Sequence, residues 1–181
     1  MLIGGAGVLA TLPFGNVFAA QFMTIEQAQR ALFPSAERFE DHPLSLDAAQ
    51  VAAVSKLAGQ QPRHGMLRAW RVFNGTSTLG YFFVDEVIGR QDLITYAVAI
   101  DQQGKLGPLE VLTYRESHGG EIRNPAWCTQ FKGRDLSNLR FRTDIKNIAG
   151  ATLSSEHVTE GARWLVALWQ VALNANPGEH T

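Results

Sequence analysis

Apolar and polar residues alternate along Met66–Phe73, with Arg68 out of phase with Leu67 and Ala69, and this is the period of a β-strand. Asn74-Gly75 follows as a tight-turn signal. Leu79–Val87, rich in Tyr81, Phe82 and Phe83, and Leu93–Ile100, with Tyr96 and Val98, predict two further strands. Asp101-Gln102-Gln103-Gly104 turns the chain into a fourth over Leu109–Tyr114, and Leu139–Thr143 predicts a later one. Short runs joined by tight turns predict an antiparallel sheet of about five strands.

Helical periods flank this block. Thr24-Ile25-Glu26-Gln27 reads as a capping box, and Ile25, Ala28 and Leu32 give a short amphipathic helix that ends near Pro34. An alanine-rich helix is predicted from Ser45 to about Leu57, closed by Gly59. A long helix is predicted from Ser155 to Leu173. Val158, Ala162, Leu165, Trp169 and Ala172 share one face, and Trp164, Val166 and Leu168 widen it. Glu156, Glu160 and Arg163 charge its start, so it reads as a core helix laid across the sheet rather than a membrane span. Helices, strands, then a helix predict an α+β domain.

Composition narrows the class. With 181 residues, 45% hydrophobic and 18% charged, the chain can build one packed domain, placed at 21–175 with a polar tail at 176–181. A net charge of −1 with no basic run argues against a nucleic-acid partner. Cys128 is the only cysteine, which excludes an intrachain disulfide, Cys-x-x-Cys-His haem attachment and a cysteine-ligated cluster. Beside Trp127 it reads as a small buried residue. His42, His64, His118, His157 and His180 show no metal-ligand spacing.

The first charged residue is Glu26, and residues 1–20 are apolar and small. They read as the apolar and cleavage portions of a secretory signal, processed at Val17-Phe18-Ala19 or Phe18-Ala19-Ala20, although no basic residue precedes them. Gly4, Gly5, Gly7, Pro13, Gly15 and Asn16 make a poor membrane anchor. The expected location is the periplasm or the extracytoplasmic face of a membrane.

Two constellations carry candidate chemistry. In Asp144-Ile145-Lys146-Asn147-Ile148-Ala149-Gly150-Ala151-Thr152-Leu153-Ser154-Ser155, small residues and a hydroxyl precede a long helix. Free N–H groups and the positive dipole end of a helix start suit a phosphate, and small residues let it approach. The same pattern also fits an ordinary N-cap, with Ser154 or Ser155 as the capping residue. In Arg115-Glu116-Ser117-His118-Gly119-Gly120 a strand end passes into a glycine-rich loop able to approach a flat ligand. Glu116, Ser117 and His118 do not make a hydrolase, because adjacent residues of an extended strand point to opposite faces and no Gly-x-Ser-x-Gly elbow occurs.

Ala149-Gly150-Ala151-Thr152-Leu153-Ser154-Ser155 resembles the Ser/Thr-Gly-Ala-Thr motif of the FMN-binding domain family. That family includes the G subunit of Rnf complexes and the C subunit of the sodium-translocating NADH:quinone reductase. Glu116-Ser117-His118-Gly119 resembles the family's Glu-Thr-Pro-Gly segment, and Trp127 with Phe131-Lys132-Gly133 is similar to its Trp…Phe-x-Gly stretch. The resemblance covers about residues 65–172. It departs at Ala149, where the family has Ser or Thr, and at Lys146, where the family is acidic.

The resemblance implies an FMN cofactor joined to Thr152 through a phosphoester. It implies that Gly150, Ala151, Leu153, Ser154 and Ser155 lie about the phosphate. Glu116, Ser117, His118, Gly119 and Gly120 would lie beside the ring, with Trp127 and the cation Arg115 close by. A FAD-dependent flavin transferase would be the modifying enzyme. The expected role is electron transfer between a membrane redox partner and another redox protein. The alternatives are a periplasmic flavin-dependent reductase with His118 as proton donor, and a non-redox module that has lost covalent flavin.

Overall fold

The computed structural model describes residues 20–63, 67–116 and 119–174. The leader before Ala20, His64 to Met66, Ser117, His118 and the tail from 175 lie outside the described residues. The chain opens with a two-residue strand β1 (Ala20–Gln21), helix α1 (Ile25–Leu32), strand β2 (Arg38–Asp41) and helix α2 (Ala48–Ala58). Four longer strands follow: β3 (Arg68–Asn74), β4 (Ser77–Ile88), β5 (Leu93–Asp101) and β6 (Leu106–Tyr114). A short helix α3 (Pro125–Cys128) and the long helix α4 (Thr152–Leu168) complete the domain.

The fold is α+β, as predicted. β2 to β6 form an antiparallel meander, and β1 adds an edge on β6 in the order β1-β6-β5-β4-β3-β2. Asn74 pairs with Ser77 across the predicted tight turn, where Gly75 takes the left-handed conformation at φ 56°.

Both faces of the sheet are covered, and this explains the nearly continuous apolar run along β4. Tyr81 and Phe83 face a core shared with Tyr96, Val98, Val111, α2 and α4. Phe82 and Val84 face the opposite core with Val72, Ala97, Leu112 and residues of α1. Val158, Ala162, Leu165 and Trp169 of the last helix are buried, together with Trp164, Val166 and Leu168. Complete burial of one such side chain contributes about 1.5–3 kcal/mol.

Several boundaries differ from expectation. α2 begins at Ala48 rather than Ser45, because Asp47 and Gln50 form the reciprocal capping box; Gly59 closes it in the left-handed region at φ 72°, as predicted. β2 was not foreseen: only Phe39 of its four residues is even half-buried, so no alternation marks it. The strand expected over Leu139–Thr143 does not form. Asp144 folds back on Arg140, accepting from its backbone N–H and its guanidinium Nε at 2.9 Å each, while Arg142 turns at φ 64°. Leu139 and Ile145 are buried on either side of this turn.

The last helix begins at Thr152, three residues before the expected start, and finishes with a five-residue π turn over Trp169–Leu173. Its N-cap is Ala151, with no side-chain capping bond, so neither Ser154 nor Ser155 caps it. Both serines lie inside the first turn, where the Ser155 hydroxyl donates back to the Ala151 carbonyl at 2.9 Å.

α4 crosses the sheet at a glycine. A Cβ on Gly161 would lie 2.1 Å from Tyr96 Oη. Tyr96 is fully buried and donates to Asp85 Oδ2 at 2.5 Å, and Arg63 Nη2 donates to both Asp85 oxygens at 2.7 and 2.9 Å. Burial, then the Asp85 charge, push the Tyr96 phenol well above its ordinary range. Gly161→Ala is expected to lower stability by about 1–3 kcal/mol, the usual cost of overpacking. Urea unfolding of the variant measures the loss; unchanged stability would mean that the helix does not rest on Tyr96.

Candidate functional site

The two constellations picked out along the chain meet at one end of the sheet. β6 ends at Tyr114 and delivers Glu116, while α4 starts at Thr152. Tyr114 Oη and Ser154 Oγ stand 3.5 Å apart. Gly119 takes φ 86°, and a Cβ there would lie 2.7 Å from Ala151 Cβ and 2.6 Å from Tyr114 Oη. Gly119 is thus glycine for two reasons, its backbone conformation and its contact with the helix start.

A cleft of about 470 Å³ opens here, lined by Arg90, Gln91, Glu116, Gly150, Ala151, Thr152, Leu153 and Ser154. This volume is within the range of small-molecule sites. Gly150 turns at φ 82°, and nothing lies within 4 Å of where its Cβ would be, so the backbone before the helix is open to approach. The N–H groups of Thr152, Leu153 and Ser154 occupy the first turn, where no side chain caps them. Thr152 Oγ1 accepts from Asn147 Nδ2 at 3.2 Å, and Asn147 Oδ1 accepts from the Ser155 hydroxyl at 3.0 Å. Ser155 is fully buried and acts on the site through Asn147.

Glu116 holds the opposite wall. Its Oε1 accepts from the backbone N–H groups of Gln91 at 2.7 Å and Asp92 at 3.1 Å, in the tip of the β4–β5 hairpin. Burial alone would raise this carboxyl. The N–H groups of Gln91, Asp92 and Arg90, and the Arg90 charge, outweigh it and hold the group below the usual carboxylate value. Gly89 lets the hairpin close in: a Cβ there would lie 2.6 Å from Glu116 Oε1 and 3.2 Å from Ser154 Oγ.

Other predicted residues stand further back. Trp127 is buried; its indole donates to the Lys146 carbonyl at 2.8 Å, and its ring meets Phe131 edge-on at 5.1 Å. It anchors the segment before the motif and does not line the cleft. Gly120 opens a 3-10 turn over Gly120–Arg123. Arg115 is exposed and outside the cleft lining, whereas Arg90 lines it. Cys128 is buried, and burial with the Glu110 charge pushes its thiol up to about 12, so it stays protonated.

Gly89, Arg90 and Gln91 were missed by sequence reasoning. They fall between two predicted strands, and a connecting tip over a rigid scaffold is a usual place for ligand contacts. Their approach to residues 116 and 152 follows from the β4–β5–β6 register, which no local pattern records. Among the described residues there is no cluster of His, Cys, Asp and Glu able to hold a metal ion.

Small residues, a bare helix start and a cation surround one cleft, a combination suited to an anionic group. Residues 89–166 match the family model of the FMN-binding domain, and the match places this stretch in that family. Every residue lining the cleft lies within the match. No curated protein matches the chain. The match supports a flavin-binding role for this stretch, and the cleft lies inside it.

The depressed pKa of Glu116 makes the hairpin clamp dependent on pH. A carboxylate with a folded-state pKa below that of the unfolded chain contributes fully above the unfolded value and loses its contribution as pH falls through the folded one. Amide exchange at Gln91 and Asp92 should therefore accelerate below the ordinary value of 4.5. In Glu116→Ala, which removes the acceptor, protection should be low at every pH. Equal protection in variant and parent at pH 7 would remove Glu116 from this role.

Proposed function

We propose that this protein carries FMN covalently, through a phosphoester to Thr152, and works as an electron carrier outside the cytoplasm. The observation that supports this best is the position of Thr152. It is the first residue of an uncapped 17-residue helix and lines a cleft inside the stretch that matches the FMN-binding domain.

Each part of the cleft has a task under this reading. Gly150 and Ala151 keep bulk away from the phosphate. The free N–H groups of the first turn and the helix dipole offset its charge. Asn147 orients the Thr152 hydroxyl before modification. Glu116 holds the β4–β5 tip against the cleft, and Gly119 lets the β6 loop lie on Ala151. The bound flavin supplies one- or two-electron transfer, and the protein supplies binding, orientation and electrostatics. A tethered cofactor is not lost outside the cytoplasm, and the signal-like leader is what supports that location.

The partners follow from the same reading. A FAD-dependent flavin transferase attaches the cofactor, and electrons pass between a membrane redox partner and a second redox protein. Co-expression with a flavin transferase should add about 438 Da, FMN less water, to the exported protein, and Thr152→Ala should abolish the addition. Unchanged mass in the parent would end the covalent reading. Yellow colour lost on denaturation would then leave a non-covalent flavoprotein.

A further inference from the structure

We propose that Arg90, at the tip of the β4–β5 hairpin, binds the flavin phosphate and makes this cleft select FMN over dephosphorylated flavin. The assignment rests on the reading of the cleft as the FMN site. Two of the eight lining side chains are charged, Arg90 and Glu116. Glu116 is committed to the backbone of Gln91 and Asp92, so it serves the protein and not an anion. Arg90 makes no salt bridge with a described residue, and its charge acts on Glu116 only at longer range. Its guanidinium is the one cation among the lining residues.

The backbone carrying Arg90 is fixed from three directions. Gly89 N–H donates to the Asp92 carbonyl at 2.8 Å and closes the hairpin. Glu116 holds Gln91 and Asp92 from the β6 side. From the helix side, His157 Nδ1 stands 2.6 Å from the Ile88 carbonyl, and Gly89 packs against Ser154. The hairpin tip therefore faces the first turn of α4, where Thr152 and the free N–H groups are. A guanidinium fork matches phosphate geometry and remains charged at any working pH.

The surroundings favour a strong contact. Ile88 and Leu93, paired across the hairpin, are 62% and 42% exposed, and Leu153 beside Thr152 is 44% exposed. Leu153 lines the cleft itself, and the exposed Ile88–Leu93 pair lies in the hairpin that carries Arg90. Apolar neighbours lower the local dielectric once a ligand covers them, and a charge-assisted bond gains strength there. Arg115 and Lys146, the other cations near the two motifs, are exposed and do not line the cleft.

The test uses the unmodified full chain from a host without a flavin transferase, titrated with FMN and with riboflavin by fluorescence quenching. Arg90→Ala is expected to weaken FMN roughly ten- to a hundred-fold and to leave riboflavin unchanged, with Arg90→Lys between the two. Arg90 is exposed, so neither variant endangers the fold. Equal loss for FMN and riboflavin would overturn the proposal in favour of a ring contact. Unchanged FMN affinity would overturn it outright. If the parent binds neither flavin, the cleft does not select free FMN and the Arg90 proposal is overturned, whereas the covalent reading stands or falls separately on the mass added by co-expression with a flavin transferase.

Discussion

The position of α4 on the sheet governs the rest of the structure. Gly161 lies against Tyr96, Tyr96 donates to Asp85, and both Asp85 oxygens accept from Arg63 Nη2. Arg63 in turn lies over the Trp164 ring of the same helix, 5.1 Å from its centroid. The chain of contacts leaves the helix and returns to it one turn further on. A slide along the axis would drive a backbone or Cβ atom into the phenol, and a rotation would part Trp164 from the guanidinium. Thr152 is nine residues before Gly161, so a point about 13 Å along the axis is fixed by this contact. Removing Asp85 would leave a buried phenol and a part-buried cation without their acceptor, a loss of several kcal/mol in comparable buried pairs.

The sheet extends this constraint to the other wall of the cleft. β4 and β5 pair without a break from Gly80↔Asp101 and Tyr81↔Ile100 at one end to Ile88↔Leu93 at the other, and their tip stands over the start of α4. β6 pairs with β5 through Ile94↔Tyr114, so Glu116 emerges next to that tip. Three segments distant in sequence therefore converge with their backbones close together. Gly89, Gly119 and Gly150 stand at the three approaches. At the first two a Cβ would collide, and at the third the left-handed backbone itself calls for glycine.

Much of the fold was legible in the sequence, because strand alternation, the Asn74-Gly75 turn and the capping box at Thr24 are local signals. Unread elements were those with little to bury. β2 shows one half-buried aromatic, and the Arg140–Asp144 turn is held by polar bonds. The site divides along the same line. The glycine and hydroxyl run at Gly150–Ser155 and the Glu116 loop carry family wording, and they are visible as motifs. Arg90 carries none, since its relevance arises from strand register. The extra helical turn at Thr152 was also hidden, because Ser154 and Ser155 look like caps while their hydroxyls bond back into the helix. Only the three-dimensional arrangement distinguishes a capping serine from a back-bonding one.

The helix starts themselves separate structure from function. α1 and α2 are short, and each opens with a complete reciprocal capping box, Thr24 with Gln27 and Asp47 with Gln50. α4 is the longest helix among the described residues and opens on Ala151, a residue with nothing to offer its free N–H groups. A missing cap costs about 0.5–2 kcal/mol, an amount that the buried face of α4 readily offsets. Stability alone would be better served by Ser or Asp at position 151. Such a side chain would turn into the first-turn N–H groups and occupy the place beside Thr152. The chain caps its minor helices fully and leaves the first-turn donors of its major one without a side-chain partner. Under the proposed function, the phosphate of the flavin is the cap of α4, and loading the cofactor should complete the helix as well as the site.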